Sequence, residues 1–163
     1  MRGQHPPTSR TAHPRPFALD IPPATANHAP MRILANLAGA VLGLFFIAVG
    51  GMVLLGLAPN PEPPPEGSPT AHFFAAMGPT GYITFVKVLE VLGGVLVAVP
   101  RTRNLGLLVL GPILVNILLF HQLVAQDGLL QPLLLAPSAL ALFLLAYEGR
   151  AWWQLVSRQH RPA

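Results

Sequence analysis

Between Ile33 and Ala58 the chain carries no charged residue. At ~1.5 Å of rise per residue this run exceeds the roughly 20 residues with which a helix crosses about 30 Å of hydrocarbon. Three further apolar stretches follow, from about Tyr82 to Val99, Leu105 to Ala125 and Leu129 to Tyr147. A water-soluble core cannot absorb them all in 163 residues, of which 52% are hydrophobic and only 10% charged. The mean hydropathy of +0.54 agrees. The expected fold class is all-α: a polytopic bundle of four transmembrane helices, each satisfying its own backbone hydrogen bonds where water is absent.

The segments between the runs set boundaries. Residues 1–30 hold prolines, arginines and three histidines (His5, His13, His28) without apolar periodicity, and are expected to form a disordered tail. Met31-Arg32 opens directly into the first run, so a start at Met31 is an alternative reading of the tail. Residues 31–157 form the membrane domain and 158–163 a short cytoplasmic tail. The proline-rich stretch Pro59 to Thr70 is expected to be an aqueous loop, and Ala71 to Met77 a short segment along the membrane surface. Trp152 and Trp153 read as an interfacial anchor.

The pI of about 10.7 does not point to nucleic acid, because the basic residues stand singly at the ends of apolar runs instead of lining one polar face. They read as topology signals. In a four-span chain Arg32, Arg101, Arg103, Arg150, Arg158 and Arg161 share one side, and the opposite loops, with Glu62, Glu66 and Asp127, have no Lys or Arg. The positive-inside rule then places both termini in the cytoplasm and the protein in the cell membrane as a multi-pass chain.

Two charges interrupt the second run. Lys87 and Glu90 are spaced i, i+3, which puts them on one helical face where pairing offsets the few kcal/mol that each would cost alone in hydrocarbon. Counted from Tyr82, they lie roughly 7 and 12 Å below the outer boundary; counted back from Ala125, His121 and Asn116 fall near 6 and 13 Å. The candidate site is therefore a polar intramembrane cluster of Lys87, Glu90, Asn116 and His121, with a paired, purely structural couple as the competing reading of Lys87 and Glu90. Asn116 and His121 stand about 140° apart on an ideal α-helix, so both cannot face the second span squarely. Asn116 could instead serve the backbone weakened by Pro112.

Gly39 and Gly43 form a GxxxG pattern, and Gly50, Gly51, Gly93 and Gly94 add small surfaces suited to close helix approach, either within the bundle or in a homo-oligomer. With no cysteine there is no thiol chemistry. No phosphate-binding loop, nucleophile elbow or metal-ligand spacing occurs. No metal and no catalytic activity of its own are expected.

The runs HFFAAMGPTGYITFVKVLEVLGGVLV (His72 to Val97) and GPILVNILLFH (Gly111 to His121) resemble the DoxX-like family of small integral membrane proteins. The most specific parts are Lys87-x-x-Glu90-x-x-Gly93-Gly94 and Pro112-x-x-x-Asn116 through His121. The resemblance covers most of Met31 to Ser157 and implies a four-helix membrane bundle. It also implies a link to quinol-dependent oxidation of sulfur compounds or to membrane thiol-redox complexes. The function expected from it is an accessory or quinone-contacting subunit of a membrane redox complex, with the lipid bilayer and a redox protein as partners. The alternatives are a small-solute or proton-coupled carrier, or an assembly factor for membrane proteins.

Orientation is directly testable because the chain lacks cysteine. A single Ser68→Cys is expected to react with a membrane-impermeant maleimide on intact cells. Protection there, with labelling only after lysis, contradicts the assigned sidedness.

Overall fold

The computed structural model describes residues 28–59 and 62–156. The expectations for residues 1–27 and 158–163, including His5 and His13, fall outside the described residues. Among the described residues six helices follow in order: α1 (His28–Leu54), α2 (Pro69–Met77), α3 (Tyr82–Ala98), α4 (Arg103–Leu119), α5 (Pro132–Tyr147) and α6 (Gly149–Val156). A π-helical segment, Phe120–Ala125, continues α4. No strand occurs among the described residues. Pro30–Leu54 and Arg103–Ala125 are long and apolar enough to cross a membrane, and a third crossing results if α2 and α3, bent by 84°, count as one. α5 is apolar but shorter. These are the features of a helical membrane protein.

Several boundaries differ from the sequence expectation, each for a local reason. α1 begins at His28, inside the expected tail, because Pro30 in a first turn removes no needed amide donor. It stops at Leu54, short of Ala58. Gly56 adopts φ 68°, and the Gly56 and Leu57 amides bond back to the Val53 and Met52 carbonyls at 3.1 and 2.8 Å, a Schellman closure. The proline-rich loop ends at Ser68, not Thr70: the Ser68 hydroxyl accepts from the Ala71 amide at 3.1 Å and Pro69 occupies the first turn. α5 likewise starts at Pro132, three residues later than expected. α4 starts at Arg103 instead of Leu105.

Glycine sets the packing. α1 and α3 run antiparallel with their backbones in contact: a Cβ on Gly43 would strike the Gly94 carbonyl and the Ala98 side chain, and one on Gly39 would lie 2.9 Å from the Val97 carbonyl. Gly106 brings the start of α4 against Val97 in the same way. Apolar helices gain little from one another by hydrophobic exclusion in lipid, so this close van der Waals approach is what holds them. The buried core is built from Ala35, Ala38, Leu42 and Phe46 of α1, Val97 of α3, Leu107, Leu110 and Leu114 of α4, and Ala141 and Leu144 of α5. The outward positions of α1 are equally apolar, among them Ile33, Leu37, Val41 and Leu44. An all-round apolar helix suits lipid on its free face. Trp152 does more than anchor, since its ring packs on this core.

Gly94→Val is expected to destabilise the fold by about 1–3 kcal/mol through overpacking of the α1–α3 seam. Gly51→Ala, where nothing lies within 4 Å of the added carbon, is expected to be neutral. Thermal unfolding in detergent checks both, and equal effects would contradict the seam.

Candidate functional site

Lys87 and Glu90 lie one turn apart on α3 and form a bidentate ion pair, with the ammonium 2.8 and 2.9 Å from the two carboxylate oxygens. The Glu90 side chain is 2% exposed and that of Lys87 20%. Gly50 of α1 sits directly over the pair: a Cβ there would be 3.1 Å from the Lys87 carbonyl and 3.4 Å from Glu90 Cβ. The α1 backbone thus shields the carboxylate on one side, which strengthens its attraction to the ammonium. Two N–H groups of Lys87 are used by Glu90, and the third is left to donate elsewhere.

His121 stands on the π-helical segment. Its Nδ1 is 2.9 and 3.1 Å from the Asp127 carboxylate oxygens, which commits that nitrogen and leaves Nε2 to meet other groups. The bond to His121 holds the Asp127 carboxyl below its ordinary value of 3.8. Phe120 packs edge-on against the imidazole, with centroids 5.5 Å apart.

All four sequence-derived candidates border one cavity of about 280 Å³. Lys87 and Glu90 reach it from α3, Asn116 from α4 and His121 from the π-helical segment. The expected 140° separation of Asn116 and His121 assumed α-winding throughout. π-winding turns less per residue, and from Phe120 the chain follows it. Asn116 is an exposed residue, and its side chain makes no hydrogen bond with the described residues.

The rest of the lining escaped the sequence reading. Phe45, Phe46, Phe73, Phe74, Tyr82 and Phe120 supply aromatic walls, and Ser138 of α5 adds a hydroxyl already donated to the Leu134 carbonyl at 2.7 Å. Phe73 and Phe74 belong to α2, expected only as a surface segment. They close on Phe120 with centroid distances of 4.9 and 5.8 Å. The signal available was the pairing of a short aromatic helix with Phe120-His121 at the same end of the chain's apolar runs.

A second polar cluster lies at the opposite end. Arg103, a topology signal in the sequence, has a side chain only 3% exposed, which donates to Glu148 at 3.2 Å and to Asn36 at 2.7 Å. The reason is Gly39, whose missing side chain leaves room for the guanidinium against α1, 3.1 Å from where a Cβ would stand. Arg103 Nε, Asn104 Oδ1 and Trp152 Nε1 are buried there without a partner among the described residues. Matching the levels of Asn36, Arg103 and Glu148, which fall at the same end of their runs, would have found this cluster.

No family model, curated protein or solved structure matches the chain.

The cavity's chemistry follows from its charge balance. Lys87 is neutralised by Glu90, so the ion pair facing the aromatic walls carries no net charge. An ionic ligand would find no uncompensated partner. Lys87 keeps one N–H able to donate into the cavity.

Proposed function

We propose that this chain is a DoxX-like integral protein of the cell membrane that crosses the bilayer four times, with both termini in the cytoplasm. In this reading it serves as an accessory, quinone-contacting subunit of a membrane redox complex and catalyses no reaction alone. The observation that carries the proposal is the aromatic cavity of about 280 Å³ holding the compensated Lys87–Glu90 pair. A quinone head group is an uncharged ring with two carbonyl oxygens, and it matches a site whose polar groups are few and already balanced. Electron transfer would fall to a partner, because the chain has no cysteine and offers a quinone only hydrogen bonds.

The span count is supported by lengths. α3, at 17 residues, covers roughly 26 Å, and α2, turned by 84°, then lies across its end along the membrane surface. α5, at 16 residues, covers roughly 24 Å of a hydrocarbon layer about 30 Å thick. The carrier reading is less well supported. Between the cavity and the Arg103 cluster the body is filled by Val97, Leu110 and Leu144, each fully buried, so the cavity ends blind.

Mild-detergent purification of the tagged protein after crosslinking, with mass spectrometry of proteins and extracted lipids, tests the proposal. Recovery of an oxidoreductase together with a quinone is expected. A protein recovered alone, with only phospholipid in the extract, contradicts it.

A further inference from the structure

The cavity has two boundaries of different kind. At the water-facing end it is roofed: α2 folds back across the opening after the Gly81 turn, where φ is 75°. The roof is fastened to the π-helical segment by the Phe73–Phe120 contact at 4.9 Å and by a Thr70 hydroxyl donated to the Val124 carbonyl at 3.4 Å. On the flank between the π-extended α4 and α5 the same cavity is bordered by Asn116 and Leu133, both exposed, Leu133 by 64%. Phe74 and Tyr82 at the roof also border the cavity and are exposed, by 44 and 47%, but only this flank adds a side-chain amide without a hydrogen-bond partner among the described residues, at Asn116. The neighbouring outward side chains, Val115 and Leu142, are apolar and exposed, so in a membrane this flank faces acyl chains.

One polar group without a partner lies at that flank, and the helix backbone beside it lacks one donor. Asn116 presents an amide that has no hydrogen-bond partner among the described residues. Pro137 has no amide hydrogen, so it cannot serve the Leu133 carbonyl one turn earlier. In hydrocarbon each such group costs free energy until something bonds to it, which a passing head group with its own donor or acceptor would do.

We infer that the cavity is loaded from the bilayer, through the gap between α4 and α5, with Asn116 as the polar group that receives the head of an uncharged, membrane-soluble ring compound while α2 stays closed against water. This rests on the quinone-contacting reading and adds the route by which the ligand arrives. It also gives Asn116 a positioning role at the entrance, separate from the Lys87–Glu90 pair deeper in.

The test uses the full chain in lipid nanodiscs and an azidoquinone as photoreactive probe, with decylubiquinone as competitor and peptide mapping as readout. Two changes separate the routes: Thr70→Cys with Val124→Cys, linked by a short bis-maleimide to fix the roof, and Leu133→Trp to fill the gap. Roof-fixed protein is expected to label the cavity as fast as the unmodified chain. Leu133→Trp is expected to slow labelling by about tenfold, equivalent to about 1.4 kcal/mol on the entry barrier. Leu44→Trp, on the outward face of α1 and outside the cavity lining, is expected to label as fast as the unmodified chain, so slow labelling in the Leu133 variant cannot be ascribed to an added indole in general. Labelling abolished by fixing the roof and unaffected by Leu133→Trp overturns the lateral route. Absence of competitor-sensitive labelling in the unmodified chain overturns the quinone reading on which it stands.

Discussion

Charge inside an apolar body must be neutralised at once by a neighbour, and this constraint organises both ends of the molecule. Water is not at hand to stabilise an isolated carboxylate or guanidinium, so each one that enters brings partners or is excluded. Glu90 is held by Lys87 from its own helix, one turn away. Arg103 is held from two other elements, by Asn36 of α1 and by Glu148 at the junction of α5 and α6. The first pair leaves its helix free to face a cavity. The second ties three parts of the chain together at the end where the body is tightly filled.

The glycine seam makes both arrangements possible. Gly39, Gly43 and Gly50 fall along one face of α1, and at each the chain opposite comes within contact of the bare backbone. Gly39 admits the Arg103 side chain, Gly43 lets the two backbones touch, and Gly50 lies over the Lys87–Glu90 turn. A larger residue at any of these would push α1 away from α3 and open the carboxylate to its surroundings. Packing and electrostatics are therefore one device here: small residues shield the charges, and the paired charges make that shielding tolerable. The cavity survives beside this seam because α2 and the π-helical segment build aromatic walls on its far side instead of filling it.

Much of this was legible in the sequence because membrane helices write their limits in simple terms. The apolar runs gave the helices, and the i, i+3 spacing gave the Lys87–Glu90 pair. Counting depth from each end placed Lys87, Glu90, Asn116 and His121 at matching levels, and the structure sets all four around one cavity. Helix ends were less legible, since they depend on caps: Gly56 ends α1 early and Ser68 with Pro69 begins α2 inside a proline-rich stretch. The π-winding at Phe120 has no periodic signature, so the relation of Asn116 to His121 could not be read from α-geometry. That Arg103 is buried was not legible, because positive residues beside a turn ordinarily mark the membrane surface and the vacancy at Gly39 that receives it is a tertiary feature.

Whether the Lys87–Glu90 pair exists for a ligand or only for the fold is the central point, and removing both charges together separates the two. Lys87→Met with Glu90→Gln keeps the volumes while abolishing the pair, a kind of exchange that is often neutral or stabilising for a buried ion pair. The measurement is decylubiquinone affinity in nanodiscs beside thermal stability for the double variant. Stability near that of the unmodified chain with affinity weakened about tenfold is the outcome this account requires. Unchanged affinity in a stably folded double variant would contradict it and leave the pair as a packing element alone.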